Sequence, residues 1–267
     1  MYIQDPMVAD LQWNRVFRKR FRLPYNLFLE LLEMLQPENF DSDDDMFMRW
    51  RDRNDDSSKK KTRVSPIELL LLGSLRYLGR GWAFDNLEES AFIARDVHRV
   101  FFHKFVEFGA KYLYPKFVVV PSTLQELREC ETEYRRAGFP GCIGSTNATH
   151  ITLEKVRFSV RQPHLGFMSS QTTRTYKLTG NHRWKILHSM TGHPGRWNDK
   201  TLVRFDGLMH QLREGNLNST MNIELYTEKG KKIPIDGCYV IVDDGYVQWS
   251  TTVPLDTAVS VDACGAF

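Results

Sequence analysis

Two apolar runs that each end in polar residues restrict this chain more than anything else in it. The first, Gly141-Cys-Ile-Gly-Ser-Thr-Asn-Ala-Thr-His-Ile151, enters apolar, passes through a small polar cluster and resumes β-branched, as a strand carrying a site does. The second, Cys238-Tyr-Val-Ile-Val242, stops at Asp243-Asp244-Gly245-Tyr246. Two such strands deliver polar groups at one end of a sheet. Metal-dependent phosphoryl-transfer sites are assembled in that way, with one acid inside a first strand and another just past a later one. The first of those positions holds Asn147.

A chain of 267 residues can bury a full core, and the change of vocabulary near Gly138 predicts two domains, residues 1–137 and 138–267. The longest apolar run, Ile67 to Leu72, is interrupted by Glu68 and is far short of the ~20 residues a membrane helix needs. The N-terminus lacks the charged-then-apolar pattern of a signal peptide, so an intracellular protein without a membrane partner is expected. Cys130, Cys142, Cys238 and Cys264 form no C-x-x-C pair, which argues for plain thiols over a zinc knuckle or a disulfide framework. A net charge of +3 is too mild to reveal a nucleic-acid partner by itself. Its distribution says more, because Arg15, Arg18, Lys19, Arg20 and Arg22 crowd together and Lys59 to Arg63 forms a second basic cluster.

The N-terminal part reads as helical. Leu27, Phe28, Leu31, Leu32 and Leu35 recur at helical spacing behind Pro24. Residues 41–63, acidic and then basic with few apolar positions, read as a solvated linker, with a DNA contact or a nuclear address as the alternative for Lys59 to Arg63. Ser65, Pro66 and Glu68 predict a capping box for a helix through Leu70, Leu71, Leu75 and Leu78, stopped at Gly79 and Gly81. Asp85 to Glu88 repeats the capping pattern for a short helix, and Arg95 opens a longer one after a tight connection. Short helix, turn and second helix is the helix-turn-helix pattern, which would aim Arg95, His98 and Arg99 at bases and phosphates; a purely structural bundle is the other reading.

From Gly141 on, strands dominate. They are predicted at Cys142 to Leu153, around Lys177 and Leu178, and at Trp184 to Thr191, followed by a helix through Leu202, Leu208 and Leu212. Glu228-Lys-Gly-Lys231 sits inside an inserted hairpin. Strand, strand, strand, helix, strand is the opening order of a ribonuclease-H-like α/β fold, a mixed sheet with flanking helices. Asp199 is either a site acid or the N-cap of its helix, or both. His150, an odd offset from Asn147, turns to the opposite face and reads as a core histidine. Asp244 reads as the turn former ahead of Gly245.

Gly138-Phe-Pro-Gly-Cys-Ile-Gly-Ser-Thr-Asn-Ala-Thr-His-Ile151, Gly192-His-Pro-Gly-Arg-Trp-Asn-Asp-Lys200 and Val242-Asp-Asp-Gly-Tyr246 resemble the endonuclease domain of DDE transposases of the PIF/Harbinger superfamily and their host-domesticated relatives. Phe17-Arg-Lys-Arg-Phe21, Ser65 to Gly79 and Gly81 to Asp85 resemble the helical region of the same proteins. The resemblance implies metal-dependent cleavage and joining of DNA by three acids holding Mg²⁺ or Mn²⁺, in the nucleus. It implies DNA as partner, with a separate DNA-binding protein as a further one; a sheet edge left exposed where the last strand is missing would make the domain liable to self-associate.

Carried over, the first acid falls on Asn147 and the second on Asp243, the implied metal positions, with the acid at Asp199 beside them as a third catalytic candidate. The family's third acid, a Glu on a later helix, has no counterpart. The last Glu is Glu228, and only Asp244, Asp256 and Asp262 follow Asp243. Asn147 is uncharged and a poor ligand for a hard cation, so the expectation is a partial, catalytically impaired endonuclease. The alternatives are a non-catalytic DNA-binding or protein-interaction module, or a decayed transposon fragment.

Overall fold

The computed structural model describes residues 6–36, 45–50, 65–166, 171–215, 217, 221–226, 230–247 and 249–254. Most of the linker expected at 41–63, the basic cluster Lys59 to Arg63, Glu228, Cys264, Asp256 and Asp262 lie outside the described residues. The chain divides into two compact units, Met1–Tyr114 and Pro115–Phe267, so the division falls earlier than the expected 137/138.

The first unit is helical. Helix α1 (Leu11–Phe21) is capped by Asp10, whose Oδ1 accepts from the Gln12 and Trp13 amides at 2.7 and 3.1 Å. Trp13, Phe17 and Phe21 recur every fourth residue and enter the core, which leaves Arg15, Arg18, Lys19 and Arg20 on the exposed face. Helix α2 (Tyr25–Met34) adds Tyr25 and Phe28 to that core. Helix α3 (Ile67–Arg80) begins with Pro66 at its N-cap and without a side-chain cap bond, so the box expected from Ser65 and Glu68 does not form. Proline has no amide hydrogen and extends the backbone before it, which sets the helix start one residue later than the Ser65 pattern requires. Gly81, in the left-handed conformation at φ +65°, ends α3.

Helix α4 (Phe84–Ala91) likewise starts from Ala83, without the side-chain cap expected at Asp85. A tight turn through Phe92 leads into α5 (Arg95–Phe108). The apolar face of α5 carries Phe101, Phe102 and Phe105 into the core.

The second unit is α/β. Helix α6 (Tyr114–Phe117) spans the division, and α7 (Leu124–Arg136) opens on the capping box of Thr123 and Glu126. Leu127 and Cys130 of α7 pack into the core of the strands that follow, which is why α7 belongs to this unit. Glu131, 2% exposed, receives the Gly141 amide at 2.9 Å and the Arg135 Nε at 2.7 Å, fixing α7 to the entry of strand β1 (Cys142–Thr152). After α8 (Phe158–His164) come β2 (Thr173–Gly180), β3 (Ile186–Ser189), β4 (His193–Pro194), α9 (Asp199–Leu202) and α10 (Gly207–Arg213). The hairpin β5 (Asn222–Tyr226) and β6 (Lys232–Asp236) stands where an insertion was expected, and β7 (Tyr239–Val242) and β8 (Thr252–Pro254) follow.

Among the described residues the main sheet runs β3-β2-β1-β7-β8, with β4 also paired to β2. β1 is antiparallel to β2 and parallel to β7, so the sheet is mixed. Val203, Leu208, Met209 and Leu212 pack with Ile143, Val240 and Val242 on the buried side. No described helix is long and apolar enough to cross a membrane.

Candidate functional site

Strand alternation sorts the residues of β1 onto two faces. Ser145, Asn147 and Thr149 point to the open side of the sheet, and Thr146 is buried. The Thr146 hydroxyl donates to the Leu178 carbonyl at 3.1 Å and accepts from Thr179 Oγ1 at 2.9 Å, which locks the register of β1 against β2. On the other side β1 pairs with β7, in parallel, with Ser145 opposite Ile241. Asn147 and Asp243 both line one cavity of about 600 Å³ with Leu178, Trp184 and Ile241.

Their chemistry differs. Asn147 is exposed, and its Oδ1 accepts from the neighbouring Ala148 amide at 2.8 Å. Asp243 Oδ1 accepts from the Gly245 amide at 2.9 Å, so Asp243 itself takes part in the turn ahead of Gly245. Asp199 does not cap its helix. Asn198 does so, accepting from the Thr201 amide at 2.9 Å, and the Asp199 carboxylate meets the Tyr246 hydroxyl instead. Asp199 Oδ2 and Asp243 Oδ1 each lie 3.0 Å from the point a Cβ on Gly245 would occupy. Burial first, and then the charge of Asp243, push the Asp199 carboxyl above the ordinary aspartate range.

That shift makes charged Asp199 a burden on the fold. The unfavourable contribution is absent below the ordinary aspartate value of 3.8 and grows as pH rises through it. Asp199→Asn is therefore expected to melt above the parent at pH 7 in chelator. The difference should close at about pH 3. Equal melting at both pH values would show that the carboxylate is not strained.

Behind these acids lies a buried network that sequence reading missed. Lys177 on β2 and Asp206, the N-cap of α10, form an ion pair with both side chains 0% exposed. Asp206 Oδ1 accepts from the Leu208 and Met209 amides at 2.8 and 3.2 Å, and His188 Nε2 lies 3.3 Å from it. Burial pushes Asp206 up, but hydrogen bonding with His188 and the Lys177 charge outweigh it and bring it down to about 2. Burial pulls Lys177 below the usual lysine range, against the attraction of Asp206. Tyr246 is 4% exposed and its hydroxyl faces the Asp199 carboxylate. Burial and then the charges of Asp199 and Asp243 raise that phenol far above its ordinary value.

His150 alternates away from Asn147 as expected, with Nδ1 2.9 Å from Thr175 Oγ1, but its ring is exposed and is not a core histidine.

Asn147 with Asp243 supplies one negative charge and a neutral amide, a donor set that does not fit a hard divalent ion expected to sit on two carboxylates. Among the described residues no group of three His, Cys, Asp or Glu is placed to hold a metal.

In the first unit, Arg95 and Arg99 are exposed and paired with Asp85 and Asp96 at 3.3 and 3.1 Å. His98 is not with them. It is 2% exposed, against Gly73, because it stands three, four and seven residues before Phe101, Phe102 and Phe105 on the apolar face of α5. A base-reading role for His98 is thereby removed. Burial holds its imidazole below the ordinary value.

No family model matches the chain, and no curated protein or solved structure matches it either.

Proposed function

We propose that the second unit is a ribonuclease-H-like domain of DDE-transposase type that binds DNA without cutting it, and that the first unit is its helix-turn-helix-like DNA-binding partner. The observation that supports this reading is the parallel pairing of β1 with β7, with Asn147 and Asp243 both among the residues lining one open cavity. The strand order, three antiparallel strands continued by two parallel ones, supports it. In such a site the family's divalent ions supply activation of the attacking oxygen and stabilisation of the leaving one. Here Asn147 would offer the DNA backbone an amide in place of a charge. Arg15, Arg18, Lys19 and Arg20, exposed along α1, with Arg95 and Arg99 on α5, would neutralise phosphates. The nucleus is the compartment this reading implies.

The full chain, titrated against a labelled duplex at low salt, is expected to bind it and to release it as salt rises. A chain that leaves the duplex free at low salt contradicts the reading.

A further inference from the structure

Two costs meet at one contact inside the first unit. His98 of α5 is 2% exposed, and neither of its ring nitrogens has a hydrogen-bond partner among the described residues. Buried polar atoms are normally satisfied, and a neutral imidazole leaves both a donor and an acceptor open here. Opposite it, in the middle of α3, stands Gly73. Glycine weakens a helix interior relative to alanine, and Gly73 is not among the positive-φ glycines, so its backbone gives no reason for it. Space does. A Cβ there would lie 2.8 Å from His98 Nδ1 and 2.9 Å from its Cε1. The two helices therefore close on an imidazole that makes no polar contact, where an apolar pair would carry neither cost. What sets histidine apart from such a pair is that it titrates near neutral pH.

The charges around it leave the ring free to respond. From α4, Glu88 acts on it and favours the cation, while burial, the larger effect, opposes the cation, so folded His98 takes its proton below the ordinary 6.5. Asp85 of α4 is paired with Arg95, and Asp96 with Arg99 on α5 itself. On α3, Arg76 lies over the Trp82 ring, 3.2 Å from its centre, and Tyr77 stacks on Phe84. We propose that His98 is a proton switch: neutral, it lets α3 and α5 close around it, and protonated, it opens their packing and shifts the helix that carries Arg95 and Arg99. The unfolded chain takes up the proton first as pH falls through 6.5, so the packing holds in full above that value and weakens below it. Only the effect on DNA rests on the function proposed for this unit. The switch itself rests on packing within it.

Hydrogen exchange of the full chain, read peptide by peptide at about pH 7.5 and about pH 5.5 and corrected for the intrinsic rate, tests it. Amides of α3 and α5 are expected to lose up to about tenfold in protection at the lower pH, because one linked proton carries about tenfold per pH unit below the unfolded value. His98→Leu, whose side chain does not titrate, should keep its protection at both pH values. His98→Gln, which retains the polarity without the titration, should do the same and carries the comparison if His98→Leu fails to fold. Undiminished protection in the parent at the lower pH, or an equal loss in the parent and the folded variants, overturns the proposal. Duplex binding at low salt, measured at the same two pH values, should weaken on acidification in the parent and not in His98→Leu. A chain that binds no duplex at either pH, with the exchange result intact, counts against the DNA reading alone.

Discussion

Replacing Lys177 by alanine is expected to destabilise the second unit by about 3–5 kcal/mol, the cost of breaking a buried ion pair by removing one partner. Both side chains are 0% exposed, so neither water nor salt screens the charge left on Asp206. Asp206 also holds the Leu208 and Met209 amides at the start of α10, so a shift of that carboxylate unseats the helix that packs Leu208, Met209 and Leu212 into the core. A loss of this size should lower the melting temperature by about 10 °C or more. Lys177→Met with Asp206→Asn, which removes both charges and keeps the volume, should recover much of it. The pair also predicts acid sensitivity. Asp206 is held at about 2 against an ordinary 3.8, so its contribution is complete above 3.8 and is lost as pH falls towards about 2. A Lys177→Ala chain within about 1 kcal/mol of the parent would show that the pair is not buried in solution.

Alanine at Arg15, Arg18, Lys19 and Arg20 together is expected to remove most of the salt dependence of duplex binding. Each phosphate neutralised contributes about −0.9 to the slope of log affinity against log salt, so four contacts lose about two orders of magnitude between 50 and 200 mM salt. The four side chains lie on the exposed face of α1, opposite Trp13, Phe17 and Phe21, so their removal leaves the core untouched. A slope unchanged in the quadruple variant would place the phosphate contacts elsewhere, with Arg95 and Arg99 the next residues to replace.

What could be read in advance was what local pattern determines. The alternation of β1 and the run into Asp243 were legible, because strand periodicity is written locally in the sequence. His98 was equally legible in principle. Its spacing from Phe101 and Phe105 marks the apolar face of α5, while Arg95 and Arg99 share the other. Caps were less so. Asn198 and Asp199 are adjacent and both suited to capping, and only the backbone of the turn decides that Asn198 accepts the amide and Asp199 is released to the site. The Lys177–Asp206 pair was out of reach. A lysine in an alternating strand reads as solvent-facing, and its partner arrives from a helix start that no local spacing connects to it.

The function we propose is that of a DDE-type scaffold whose site does not cut DNA. Its most direct test is nicking of supercoiled plasmid by the full chain in Mg²⁺ or Mn²⁺, with Asp243→Ala beside it. The account predicts background nicking by both proteins, because Asn147 with Asp243 lacks the carboxylate pair a hard cation requires at the scissile phosphate. Nicking by the parent that Asp243→Ala abolishes would contradict it.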